Sequence, residues 1–259
     1  MKKRIVIITG ASSGMGKEFA FLLDKKLNTI NEFWLIGRNV EKLKEVKKIM
    51  RTNCKIFECD LNERTELKKV MKQLYHEQVE IKMLINCAGY GMMGKFEDIS
   101  YNDNVGMIDV NCRALTSLTY DCIPFMAKNS RIINVASSGA FLPQPYFAVY
   151  CATKCYVLSF SRALNAELKD RDVYVTAVCP GPVDTAFFDR AETYGKKLEI
   201  KKYVMAKPKE VVVKAVRDSI YKKQISVYGP VMKAFNYATK VFPHKPFIDL
   251  IYYMQNMQK

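Results

Sequence analysis

Two residues at a fixed interval have the chemistry to move a proton: Tyr150 and Lys154, in the stretch Tyr150-Cys151-Ala152-Thr153-Lys154. Their separation of four puts both side chains on one face of a helix. An ammonium beside a phenol favours the phenolate and draws a tyrosine pKa from about 10 towards neutrality. A tyrosine tuned in this way can give or take a proton at a carbonyl or alcohol carbon. A solvated helix face would carry the same pair without any chemistry, so the reading depends on what surrounds it.

Near the start of the chain, Arg4-Ile5-Val6-Ile7-Ile8-Thr9 is a short apolar run. It is followed by Gly10-Ala11-Ser12-Ser13-Gly14-Met15-Gly16 and an amphipathic stretch to about Leu27. Strand, glycine turn and helix in that order make the context of a phosphate-binding turn. Gly10 allows the tight turn, while Gly14 and Gly16 let backbone approach a pyrophosphate and the helix approach the sheet. The helix N-terminus adds oriented N–H groups and partial positive charge. Gly10 to Gly14 also matches Gly-x-Ser-x-Gly, a hydrolase nucleophile elbow, with His244 as a distant base. That reading fails on context, because the match is contained in the dinucleotide turn and leaves Tyr150 and Lys154 without a role.

The turn is Thr-Gly-x-x-x-Gly-x-Gly. Together with Asn86-Cys87-Ala88-Gly89, Asn111, Ser137, Tyr150, Lys154 and Pro180-Gly181, it resembles the classical short-chain dehydrogenase/reductase family over about Lys3 to Tyr228. The resemblance implies an oxidoreductase acting on CH–OH groups, hydroxysteroid-dehydrogenase-like. In that family Ser137, thirteen residues before Tyr150, orients the substrate oxygen, with its neighbour Ser138 the competing hydroxyl. Tyr150 transfers the proton, Lys154 binds the nicotinamide ribose, and Asn111 holds a water leading from Lys154 to solvent. The turn residues Gly10, Ser12, Ser13, Gly14, Met15 and Gly16 cradle the cofactor. Asp60 and Leu61 meet the adenine, with Asp60 also a candidate N-cap for the next helix. Asn86, Ala88 and Gly89 lie beside the ribose, and Pro180, Gly181, Val183 and Thr185 lie along the nicotinamide.

Cofactor choice is read at the end of the second strand, Leu35-Ile36-Gly37-Arg38. An acid there would bind the ribose hydroxyls of NAD; Gly37 stands in its place, and Arg38 can pair with a 2′-phosphate. NADP(H) is therefore expected over NAD(H). By family position the substrate pocket takes Tyr90, Met92, Met93, Phe141, Leu142, Pro143, Phe147, Phe187, Phe188 and Tyr194, though some could simply cover the core. So apolar a pocket suits a large hydrophobic ketone or alcohol, a steroid or bile acid above all, with 3-oxoacyl and other lipid carbonyls as alternatives. A cofactor-binding sensor without chemistry is the alternative of another class.

These residues need a scaffold, and the sequence supplies one. Strand candidates recur at Arg4–Thr9, Phe33–Gly37, Lys55–Cys59, Met83–Asn86, Arg131–Val135, Val173–Cys179 and Ile225–Tyr228. Helix-periodic stretches lie between them at Val40–Met50, Glu63–Tyr75, Asn102–Ala127, Tyr150–Leu168 and Pro208–Lys222. The alternation predicts an α/β fold. The family resemblance makes it a Rossmann-type, doubly wound, seven-stranded parallel sheet flanked by helices, in one domain over residues 1–259. A charged segment over 182–207 is expected to close over substrate.

A helical tail over 229–259 follows, with Val231, Phe235, Ala238 and Phe242 on one face and a second apolar run from Phe247 to Tyr253. It is expected to pack on the domain or on a second subunit; a pocket lid and a basic membrane-surface helix are the other readings. Relatives pair through the helices at Asn102–Ala127 and Tyr150–Leu168, so a homodimer or homotetramer is implied.

A formal charge of +15 on 259 residues suits an anionic cofactor, substrate or membrane surface. The lysines are scattered, without interleaved aromatics, so no nucleic acid is expected. Eight cysteines without a C-x-x-C pair, and two histidines in unrelated segments, argue for free packed thiols and no metal. No run approaches the roughly 20 apolar residues of a membrane span, and the expected location is cytoplasmic.

Overall fold

The computed structural model describes residues 2–197 and 204–257. Residues 198–203 of the expected loop, 258–259 of the tail and Met1 lie outside the described residues. Strands β1 (Lys3–Thr9), β2 (Glu32–Gly37), β3 (Asn53–Glu58), β4 (Val79–Asn86), β5 (Met126–Val135), β6 (Val173–Val178) and β7 (Ile225–Ser226) form one parallel sheet. Their spatial order is β3-β2-β1-β4-β5-β6-β7, so the winding reverses between β1 and β4. A doubly wound sheet opens its ligand crevice at that reversal, beyond the strands' carboxyl ends.

The apolar runs are continuous because both faces of the sheet are covered. Within β1, Ile5 and Ile7 point into one core while Val6 and Ile8 point into the other. Trp34 and Ile36 of β2 join the first core, and Phe33 and Leu35 the second. Helices α1 (Gly14–Lys26) and α2 (Val40–Ile49) close the second core through Phe19, Leu23, Leu43 and Val46. Helix α3 (Arg64–His76) closes the first through Leu67, Val70 and Leu74.

The helix expected over Asn102–Ala127 is divided. Helix α4 (Tyr101–Ile108) opens into a wide π turn over Asp109–Ala114, and α5 (Leu115–Cys122) then resumes. Pro124 lies in a short 3-10 turn, Ile123–Phe125, that ends the run. Met126 and Ala127 consequently belong to β5, which starts before the expected Arg131.

Helix α6 (Ala148–Glu167) carries Tyr150 and Lys154, and the short α7 (Phe187–Ala191) follows β6. Helix α8 (Pro208–Ile220) packs Val211, Val212, Ala215 and Val216 into the second core. Strand β7 is shorter than expected because Gly229, at φ +80°, and Pro230 turn the chain into α9 (Pro230–Val241). Helix α10 (His244–Asn256) ends the described chain. On α9 the buried side chains are Met232 and Thr239, while Val231 and Phe242 are exposed. The apolar face read from the sequence is thus displaced around the helix, because Met232 is the side chain that fits above Gly181.

Candidate active site

The glycine turn leaves β1 at the sheet reversal. Gly10 and Gly14 have φ of +67° and +50°, values that favour glycine. A Cβ on Gly16 would meet the Gly10 carbonyl oxygen at 2.1 Å, so the start of α1 packs directly on the turn. Thr9 fixes the other side of the crevice: its hydroxyl accepts from the Cys87 and Ala88 amides at 3.0 and 3.1 Å. The first turn of α1 has no acidic residue, and its N-cap Ser13 makes no side-chain capping bond. Exposed amides, a spare hydroxyl and no competing carboxylate are what a diphosphate requires.

A cleft of about 730 Å3 runs from this turn to Tyr150. It is lined by Gly10, Ser12, Ser13, Gly14, Met15, Gly16, Arg38, Asp60, Leu61, Ala88 and Gly89. Ser137, Tyr150, Lys154, Pro180, Gly181, Val183 and Thr185 line it as well. Arg38 is largely exposed, and its guanidinium stands 4.0 Å from the Asp60 carboxylate, a weak surface pair. Asp60 is not the N-cap of α3; that position is Glu63, and Asp60 accepts instead from the Asn62 amide at 2.9 Å. Asn86 is buried beneath the cleft and donates to Thr119 Oγ1 and Asn134 Oδ1 at 3.0 and 2.8 Å. Its side chain ties the central strands to α5.

Tyr150, Lys154 and Asn111 are all buried. Asn111 sits in the π turn, where the extra residue re-aims the side chain. Its amide donates to the Tyr90 carbonyl at 2.9 Å and to Thr153 Oγ1 at 3.0 Å, and its oxygen accepts from the Tyr90 amide at 3.1 Å. A Cβ on Gly89 would lie 2.8 Å from Asn111 Oδ1 and 3.2 Å from Lys154 Nζ, so glycine lets both groups approach. Lys154 Nζ donates to the Val135 carbonyl at 2.9 Å. Ser137 Oγ accepts from the Gly139 amide at 3.1 Å, and the next amide, of Ser138, bonds to the Pro180 carbonyl at 2.7 Å.

The electrostatics differ from the simple pairing expected of Tyr150 and Lys154. Burial pushes the Tyr150 phenol well above 10, partly offset by a hydrogen bond with Ser137. Burial also lowers the Lys154 ammonium to about 8. The ammonium is directed at the Val135 carbonyl and lies 5.6 Å from the Tyr150 ring centre, so desolvation outweighs attraction between the two.

Of the expected pocket residues, Tyr90, Phe147, Phe187 and Phe188 line the cleft. Phe147 stacks on Tyr150 with ring centres 4.2 Å apart, and Phe187 approaches it at 5.4 Å. Met92, Met93, Phe141, Leu142 and Tyr194 are not in its lining. The two methionines and Leu142 are buried in the wall, and Phe141 turns towards Phe235 of the tail, 6.4 Å away. The Tyr194 hydroxyl donates to Asp103 at 2.9 Å.

Sequence reasoning missed Gln144 and Arg190, which do line the cleft. The Arg190 guanidinium lies 3.6 Å above the Tyr90 ring and bonds to Asp103 at 3.2 Å, fastening α7 to α4. It also missed Gly91: a Cβ there would stand 2.5 Å from Tyr150 Cδ2. No local pattern marks these residues, since their partners are distant in sequence.

The segment 182–207 is closed at its base. Ala206 donates to the Pro182 carbonyl, and Asp184 to the Ala206 carbonyl, each at 2.9 Å. No group of side chains able to hold a metal ion, and no helix long and apolar enough to cross a membrane, occurs among the described residues.

Residues 4–194 match the short chain dehydrogenase family. The chain belongs to that family and is an oxidoreductase acting on CH–OH groups with a nicotinamide dinucleotide. It is 30% identical over 226 residues to an uncharacterised oxidoreductase of Staphylococcus epidermidis, covering 83% of this chain and 96% of the relative. Its structure is similar to a short-chain dehydrogenase from Sphingobium yanoikuyae in complex with NADPH. That likeness has 25% identity and a TM-score of 0.77, over 92% of this chain and 94% of the other. A serine dehydrogenase complexed with NADP+ is 28% identical, with a TM-score of 0.75 over 88% of this chain and 95% of that one.

Proposed function

We propose that the protein is an NADP(H)-dependent reductase of a bulky hydrophobic ketone, a steroid or bile-acid ring above all, running reversibly. The observation that carries the reading is the convergence of Ser137, Tyr150 and Lys154 with four aromatic side chains at one end of the cleft. NADP(H) is favoured by Gly37 in place of an acid, by Arg38 lining the same cleft as Ser12 and Ser13, and by the NADPH and NADP+ in the two similar structures.

A nicotinamide bound in the cleft would supply hydride to the carbonyl carbon. Ser137 Oγ accepts from Gly139, and its proton, shared with the Tyr150 oxygen, can turn to hold the carbonyl oxygen. Tyr150, a neutral phenol at neutral pH, donates its proton to that oxygen as it becomes an alkoxide, a much stronger base than phenolate. With hydride on carbon and this proton on oxygen, the alcohol would be complete. Lys154, anchored by Val135, keeps two further N–H donors for ribose hydroxyls. Asn111 positions Tyr90 and Thr153 around this centre.

A lipid-linked 3-oxoacyl group is the second reading, favoured by the Arg190 guanidinium in the same cleft. The test is oxidation of NADPH and NADH by purified protein over steroid, bile-acid and oxoacyl ketones, with Tyr150→Phe as control. Turnover of NADPH on one bulky class, lost in the variant, is expected. Tight NADPH binding without turnover on any ketone would instead favour a sensor.

A further inference from the structure

We propose that the tail helix α10 docks the protein on an anionic lipid surface, through an outward stripe of apolar side chains. Leu250, Tyr253, Met254 and Met257 fall at i, i+3, i+4 and i+7, one face of the helix. They are 56%, 64%, 51% and 68% exposed. The bend between α9 and α10 adds exposed Val241 and Phe242.

The inward face of α10 is mixed, with Phe247, Ile248 and Ile251 half-buried beside polar and aromatic contacts. Gln255 is buried and donates to the Lys197 carbonyl at 3.3 Å, while Lys196 Nζ donates to the Gln255 carbonyl at 2.6 Å. Asn256 accepts from the Tyr146 hydroxyl at 2.6 Å, and Tyr252 stacks on the Tyr146 ring at 6.1 Å. A helix that only covers a core is apolar inward and polar outward, whereas α10 carries apolar side chains on its outward face as well. The outward face of α10 is built for an apolar partner.

Charge selects that partner. Over 229–257 the tail carries exposed Lys233, Lys240 and Lys245 against the single acid Asp249, which pairs with Lys245. Lys196 and Lys197 lie against α10 itself, on a chain of net charge +15. Two copies joined through this face would bring like charges together, whereas anionic headgroups complement them and receive the apolar stripe.

The placement also serves the site. Tyr146, held by α10, immediately precedes Phe147, which stacks on Tyr150. Docking would therefore bring the segment that carries Phe147 to within one helix of the bilayer, where hydrophobic ketones partition. This last consequence rests on the proposed reaction; the docking does not.

The test is sedimentation of the full chain with phosphatidylcholine vesicles, with and without phosphatidylglycerol. Binding at least about tenfold stronger to the anionic vesicles, weakened by salt, is expected. Leu250→Ser with Met254→Ser, both at exposed positions, should lose about tenfold in binding while keeping the wild-type melting curve. Lys233→Gln with Lys240→Gln should remove much of the salt-sensitive part. Absent binding, equal binding to neutral vesicles, or wild-type binding by the serine pair would overturn the proposal. So would sedimentation equilibrium showing a dimer that the serine pair dissolves, without vesicle binding. Vesicle sedimentation needs no turnover, so its failure is separable from failure of the ketone assay.

Discussion

Replacing Gly91 by alanine should disable Tyr150 without touching any polar group of the site. The added Cβ would stand 2.5 Å from Tyr150 Cδ2, 2.8 Å from Tyr150 Cγ and 2.9 Å from Phe147 Cε2. Carbon atoms rest at about 3.5–4.0 Å, so the Tyr150 ring must retreat by roughly 1 Å. Phe147 and Phe187 flank that ring, so its phenol oxygen is displaced from Ser137. A misplacement of about 1 Å can cost on the order of 100-fold in rate. Overpacking adds about 1–3 kcal/mol of destabilisation, a few degrees in Tm. The assay measures kcat with NADPH and the best ketone, NADPH affinity by fluorescence, and thermal melting. We expect kcat to fall about 100-fold with a smaller change in NADPH affinity, since the added methyl meets the Tyr150 and Phe147 rings and not the glycine turn. A kcat within about twofold of wild type would refute the claim that this contact sets the phenol's position.

Arg38→Asp should lower kcat/KM for NADPH by about tenfold to 100-fold while leaving NADH turnover equal or improved, as loss of a charged hydrogen bond to phosphate requires. An unchanged NADPH/NADH ratio would place the selectivity elsewhere. Asp103→Asn weakens the pair that holds α7 to α4, and should raise KM for a bulky ketone severalfold with NADPH affinity unchanged. A change in NADPH affinity alone would show that the pair supports the cofactor end instead. Burial raises the Cys59, Cys151 and Cys179 thiols from 9.0 to about 12, so stability is full below about pH 9 and falls above it, as unfolded thiols ionise first. Each contributes up to about 1.4 kcal/mol per pH unit. Lys154, lowered from 10.5 to about 8, acts with the opposite sign between those values and offsets about one thiol. Urea midpoints in reducing buffer should therefore fall between about pH 9 and pH 11, and a rise would contradict this assignment of buried thiols.

The strands and the glycine turn are legible because their determinants are local. Val6 and Ile8 alternate with Ile5 and Ile7 between two cores, and Gly10 and Gly14 mark a turn that needs positive φ. The cleft wall is not legible in the same way. Arg190 meets Asp103 from 87 positions away, and Tyr146 meets Asn256 from 110, contacts that no window of sequence contains. Met92 and Met93 follow Tyr90 by two and three positions, yet the backbone turns them into the core. The π turn at Asn111 looks like continuous helix, because its extra residue changes hydrogen bonding and not composition.

Tyr150 and Lys154 show the limit within the site itself. Their spacing fixes the shared helix face, but the state of the phenol depends on burial, to which many distant residues contribute. Enclosure by Phe147 and Phe187 favours the neutral phenol, and Lys154 is drawn to Val135 instead of the phenol oxygen. A protonated phenol hydrogen-bonded to a serine hydroxyl presents two O–H groups that can turn to a carbonyl oxygen as it gains negative charge. Reduction therefore matches the resting state of these side chains, while alcohol oxidation requires the phenol first to lose its proton against the cost of burial.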